Sequence, residues 1–164
     1  MRVFGLIALL ALGACGFQPL YEAGGSTAAM RGHLASVEVA PIPDRLGQVM
    51  GNRLTERLNV AGAPEYRLDV ALTQATEGFG IRPDAAASQE QLTLVAKVTL
   101  TKIGGESPIF SEDMRARTAY DLVLSDFSSE TQREDSARRL ALELAERIHR
   151  RLALYFASRE AASQ

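Results

Sequence analysis

Tyr66-Arg67-Leu68-Asp69-Val70-Ala71-Leu72-Thr73 decides the fold. Tyr66, Leu68, Val70 and Leu72 fall on one side and Arg67, Asp69, Ala71 and Thr73 on the other, the two-residue period of a strand with one face in a core. The pattern returns at Leu92, Leu94, Ala96, Val98 and Leu100 against Gln91, Thr93, Lys97, Thr99 and Thr101. It returns again at Phe110, Met114, Ala116 and Tyr120 against Ser111, Asp113, Arg115 and Arg117. A loop is expected around Gly80 to Ser88, containing Arg82-Pro83-Asp84, and Gly104-Gly105-Glu106-Ser107-Pro108 is turn chemistry. The period and the turns together predict a meander of antiparallel strands with one apolar face.

Upstream, His33 to Ile42 alternates enough to be a strand, closed by Pro41 and Pro43. Asp44 is a suitable N-cap for a helix over about Asp44 to Val60, whose Leu46, Val49, Met50, Leu54 and Leu58 recur at near-helical spacing, with Gly62 and Pro64 beyond its end. Gly47 and Gly51 lie one turn apart on it, where a second backbone approaching closely, or simple tolerance, accounts for them equally. Downstream, Leu122 to Ser128 reads as a loop, and Ser129-x-x-Gln132 or Thr131-x-x-Glu134 fits a capping box for a last helix. Ala137, Leu140, Ala141, Leu144, Ala145, Ile148, Leu152 and Tyr155 form its apolar stripe, and Glu143/Arg147 and Glu146/Arg150 sit at the favourable i,i+4 spacing. The order β-α-β-β-β-α predicts an α+β fold: a two-layer sandwich in which a four-stranded, mostly antiparallel sheet carries two helices on one face and leaves the other polar.

At the N-terminus, Arg2 precedes an apolar stretch from Val3 to Leu12, too short for the ~20 residues that cross a bilayer as a helix but suited to an exported signal. It ends in Leu12-Gly13-Ala14-Cys15, the pattern of a bacterial lipoprotein signal: small residues let the peptidase draw in an extended backbone, and the thiol forms the lipid thioether. Cys15 is the lone cysteine of the 164 residues, so no disulfide competes for it. The expected organisation is 1–14 signal peptide, 15–30 acylated N-terminus and flexible tether, 31–157 one α/β domain, and 158–164 a frayed tail.

Eighteen Lys and Arg against 20 Asp and Glu leave a formal charge of −2, which gives no reason to expect nucleic acid as a partner. The sequence contains no Gly-x-Ser-x-Gly elbow, no His-Glu-x-x-His and no phosphate-binding glycine loop. Gly78-Phe79-Gly80 is a fragment of a nucleotide fingerprint and reads as loop. The histidines, His33 and His149, are far apart, and His149 lies beside the helix stripe as a boundary residue. No catalytic group, metal or cofactor is expected beyond the covalent lipid on Cys15.

Three segments carry a resemblance. Cys15-Gly16-Phe17-Gln18-Pro19-Leu20-Tyr21 resembles the post-signal start of the bacterial lipopolysaccharide-assembly lipoproteins, the LptE-like family. Asn52-Arg53-Leu54-Thr55-Glu56-Arg57-Leu58-Asn59 resembles that family's first helix, and Gly62-Ala63-Pro64-Glu65-Tyr66-Arg67-Leu68 the approach to its second strand. The resemblance implies a non-enzymatic outer-membrane lipoprotein, facing the periplasm or a barrel lumen. Its implied partners are the LptD-like β-barrel that translocates lipopolysaccharide, lipopolysaccharide itself, and the membrane through the lipid anchor. The alternative is an auxiliary or pilotin-type lipoprotein of another envelope machine. Lys97, Arg115 and Arg117, expected on the polar sheet face, are candidate contacts for lipid phosphates, since a guanidinium can grip phosphate bidentately; Arg82 is a further candidate in the loop. A solvated strand face blunted by charge is the competing reading of the same residues.

Overall fold

The computed structural model describes residues 26–81, 87–121 and 126–162. In chain order these form α1 (Ser26–Leu34), β1 (Val37–Val39), α2 (Asp44–Leu58), β2 (Tyr66–Ile81), β3 (Ala87–Lys102), β4 (Pro108–Asp121) and α3 (Asp126–Ala162). The strands make one sheet in the order β1-β2-β3-β4. β1 runs parallel to β2, pairing Val37 with Tyr66, while β2–β3 and β3–β4 are antiparallel. The expected α+β sandwich is therefore present, with a mixed sheet and a third helix.

The two-residue period produces the sheet's inner face row by row. Leu68, Leu100 and Phe110 lie across from one another, as do Leu72, Ala96 and Met114. Leu68, Leu92, Ala96, Val98 and Leu100 are fully buried, and they join Met50, Leu54, Leu144, Ile148 and Leu152 from α2 and α3 in one core cluster. Both helices thus cover the same side of the sheet, which is where their apolar stripes required them to be.

Several expected boundaries move. α1 takes in Ser26–Leu34, residues assigned by sequence partly to the tether and partly to the first strand. Met30 and Leu34 are buried, so tertiary contact rather than local propensity holds that short helix. The first strand shrinks to Val37–Val39. β2 and β3 run to Ile81 and from Ala87, so Gly78-Phe79-Gly80 is strand, paired at Gly78–Glu90 and Phe79–Gln89, and not loop. α3 begins at Asp126, ahead of both candidate capping boxes, and its helix continues to Ala162 through most of the expected frayed tail. Leu122 and Leu124 lie outside the described residues.

Asp44 is not the N-cap. Pro43, extended at φ −60 and ψ 160, occupies that position without a side-chain cap bond, and Asp44 opens the helix at φ 68. Its carboxylate still sits in the first turn, where the helix dipole favours negative charge. At the other end Asn59, left-handed at φ 46, donates its N–H to the Thr55 carbonyl at 3.0 Å and stops the helix before Val60.

The two glycines of α2 are unlike. A Cβ on Gly47 would lie 2.7 Å from both Cγ2 and the carbonyl oxygen of Ile42, whereas one on Gly51 would meet nothing nearer than 3.9 Å. Close backbone approach is thus the reason for Gly47 alone. Gly47→Ala is expected to lower stability by about 1–3 kcal/mol through overpacking, and Gly51→Ala to raise it by up to ~1 kcal/mol. Urea midpoints of the two variants check the opposite signs.

Candidate functional site

The sheet face away from the helices is the exposed, chemically distinctive surface. Odd-numbered residues of β2 from Arg67 to Phe79, of β3 from Gln89 to Thr99 and of β4 from Ser111 onward point there, so the strand period that buries Leu94 and Ala96 places Lys97 outward, and the period that buries Met114 and Ala116 places Arg115 and Arg117 outward. Register sets Arg115 opposite Val95, Arg117 opposite Thr93 and Lys97 opposite Asp113. Lys97 is therefore diagonal to Arg115, and the two arginines stand about 7 Å apart along one strand. All three cations are exposed, and among the described residues none makes an ion pair.

The three sequence candidates are thereby brought to one face. Arg82 lies outside the described residues, as do Cys15 and the Gly16–Tyr21 segment behind it. Around the cations, Ala71, Thr73, Ala75, Thr93 and Val95 supply small or apolar ground. Cations on such ground suit a ligand that is anionic at one end and apolar beside it. The surface is open, and among the described residues no nucleophile on it is held by a base.

Behind the face, ion pairs fasten the helices. Glu146 Oε1 accepts from Arg53 Nε at 2.7 Å and from Arg57 Nε at 2.9 Å, joining α3 to α2. The expected partner Arg150 is displaced because two guanidiniums from the neighbouring helix reach the carboxylate first. The expected Glu143–Arg147 pair does form, and Arg147 also donates to the Arg115 carbonyl at 2.8 Å, tying α3 to the strand that carries the patch. Arg151 pairs with Glu112 at 2.7 Å on the same edge. These ties set the strand rather than the ligand.

Hydrogen bonding by Arg57, then by Arg53, holds the Glu146 carboxyl below its ordinary 4.5 despite opposing desolvation. A depressed carboxylate contributes stability that is fully present above the ordinary value and is lost as pH falls through the lowered one. Glu146→Gln is therefore expected to lose about 1 kcal/mol at neutral pH. The difference from wild type should shrink as pH falls below the ordinary carboxylate value and through the lowered one, as urea unfolding at neutral and at acidic pH would show.

His149 is half-buried on α3, and burial, followed by the nearby Arg57, lowers its pKa from 6.5, as fits the boundary position expected of it. His33 stacks on Phe156 at 5.2 Å between centroids, and its Nδ1 lies 3.5 Å from the Tyr66 hydroxyl. These rings, with Arg159 and Glu160, line a cleft of about 220 Å³. The sequence stripe ended on Tyr155, but Phe156 is the buried ring, while the Tyr155 hydroxyl donates to the Ile109 carbonyl at 2.9 Å. A larger open groove of about 440 Å³ runs between the first halves of α2 and α3, over Leu46, Val49, Gln74 and Ala137, and the Arg45–Glu134 pair is on its rim at 3.4 Å. No local sequence signal marks that groove, because its walls come from three distant segments.

Among the described residues no His, Cys, Asp and Glu cluster could hold a metal ion, and no described helix is long and apolar enough to cross a membrane.

A family model described as lipopolysaccharide-assembly, LptE, matches residues 34–152 of this chain. An uncharacterized protein of Rickettsia prowazekii is 26% identical over 123 residues, covering 75% of this chain and 78% of its own. Among solved structures, a Caulobacter crescentus CB15 protein classed as a lipoprotein superposes with a TM-score of 0.62 at 20% identity, over 81% of this chain and 98% of that one. Rare lipoprotein B of Shewanella oneidensis gives 0.55 at 16% identity, over 77% and 96% respectively. At such identities the structural likenesses speak for the fold.

Proposed function

Because the chain belongs to the LptE lipopolysaccharide-assembly family, matched over more than half its length, we propose that it is an outer-membrane lipoprotein acylated on Cys15. It docks on the β-barrel that translocates lipopolysaccharide and assists both barrel assembly and lipopolysaccharide insertion. The observation that carries the ligand half of this reading is the uncovered sheet face with Lys97, Arg115 and Arg117 grouped and without ion-pair partners among the described residues. Lipid A phosphates would meet the guanidiniums and its apolar part the Ala, Thr and Val ground between them. The task is binding and positioning, with no bond made or broken.

Arg115→Glu/Arg117→Glu is the test. The two side chains are exposed and the backbone register does not depend on them, so the fold should persist. Lipopolysaccharide binding by the purified protein is expected to weaken by at least about tenfold, the loss of one or more charge-assisted hydrogen bonds. Unchanged binding would remove this face from the function. In the cell, depletion of the protein should leave lipopolysaccharide mislocalised; an auxiliary lipoprotein of a different machine would leave it in place.

A further inference from the structure

The two long edges of the sheet are treated differently by the sequence. β4, at one edge, carries Pro108, Glu112, Asp113, Arg115, Arg117 and Asp121, the charges and proline that protect an edge against further pairing. At the opposite edge β1 covers β2 only from Tyr66 to Leu68, and Ala40 extends the cover by donating to the Leu68 carbonyl at 2.9 Å. From there β2 runs on to Ile81, and among the described residues no strand pairs with its outer side. The stretch Val70-Ala71-Leu72-Thr73-Gln74-Ala75-Thr76 has no charge and no proline, and every residue from Thr73 to Gly80 is exposed.

Hydrogen-bond direction along β2 can be read from its base. Tyr66 donates to the Ser36 carbonyl and Leu68 accepts from Ala40, both on the β1 side, whereas the Glu65 carbonyl accepts from Ile103 on the β3 side. The alternation continues without a bulge, since β2 and β3 keep one register from Tyr66–Lys102 to Phe79–Gln89. Leu72, Gln74, Thr76 and Gly78 therefore present both N–H and C=O to the uncovered edge. On the outer sheet face beside them lie the small side chains of Ala71, Thr73 and Ala75, followed by Glu77, which makes no ion pair among the described residues.

We propose that this edge of β2 receives an extended segment of another polypeptide, which adds as a further strand on Leu72, Gln74, Thr76 and Gly78 and sets a Lys or Arg beside Glu77. Main-chain pairing supplies the affinity, and the small outer side chains leave room for bulkier ones on the added strand. A second copy of this chain fits less well. Antiparallel self-pairing centred on the uncharged run, at Thr73, would place Asp69 of each copy opposite Glu77 of the other, like charges directly across. The added strand is defined by its backbone and its cation, and the inference holds whether or not its owner is the barrel.

The test uses the full-length protein in its own cells, with a photo-crosslinking residue at Thr73 and, separately, at Ala75. Both positions are expected to join the same segment of one partner chain, at sites two residues apart and next to a basic residue. Thr76→Pro removes an outward N–H while leaving the β3 pairing intact, and it should reduce both adducts by roughly tenfold, as loss of about one net hydrogen bond would. Gln74→Lys, which charges the edge without touching the backbone, should do the same, and the melting curve of each purified variant shows whether it is folded. Adducts to a second copy, adducts scattered over many chains, no adduct at all, or yields unchanged in folded Thr76→Pro and Gln74→Lys would each overturn the proposal.

Discussion

Leu144→Ala is expected to destabilise the domain by about 3 kcal/mol, within the range for truncating a fully buried leucine. Leu144 is inaccessible to solvent and lies mid-stripe on α3, in the cluster that joins both long helices to β3. Neighbours on the sheet are held in register by long antiparallel pairings, so they cannot collapse freely into the space, and a cavity remains. A domain of this size has only some 5–15 kcal/mol to lose, so a substantial part of its stability goes with one side chain. Leu154, nearly three turns further along the same helix, is 57% exposed. Leu154→Ala should change stability by less than about 0.5 kcal/mol. Urea unfolding of the two variants checks the contrast, and equal losses would mean that α3 does not face the sheet as described.

Cys15→Ala, exported with a cleavable non-lipid signal, is expected to free the protein from the membrane while leaving barrel binding partly intact. Each buried methylene contributes ~0.8 kcal/mol to anchoring, so loss of the acyl chains proposed for Cys15 would abolish stable insertion. The globular domain keeps its sheet, its basic face and its β2 edge, because none of these is built from Cys15. Fractionation should therefore find the variant in the soluble periplasmic pool, and pull-down should still recover some barrel. Complete loss of the complex would describe an adaptor held by lipid alone.

How far the sequence could be read depended on whether packing left a periodic trace. Leu68-x-Val70 and Leu92 to Leu100 alternate because a helix layer covers one face of those strands, and from that alternation followed the sheet, its sidedness and the grouping of Lys97, Arg115 and Arg117. Gln74 to Gly80 leaves the covered region and is exposed, so it has no apolar period to detect, and the alternation extends the strand only to Thr73 while Gly78-Phe79-Gly80 reads as loop. α1 was hidden for a related reason: Gly24-Gly25-Ser26-Thr27 suggests a tether, and only burial of Met30 and Leu34 by distant residues turns the next segments into a helix. Glu146 shows the same limit in electrostatics. Spacing along α3 offered Arg150, but the fold delivers Arg53 and Arg57 from α2. The outward cations were thus legible one strand at a time, whereas the register that makes Lys97 diagonal to Arg115 was not.

The claim that this chain serves a lipopolysaccharide-translocating barrel is tested most directly by purifying the tagged wild-type lipoprotein from detergent-solubilised membranes and identifying what remains bound in stoichiometric amount. A large outer-membrane β-barrel should co-purify, retained through a salt wash because the contact is more than surface charge. A lipoprotein recovered alone, or with the components of another envelope machine and no barrel, would contradict it.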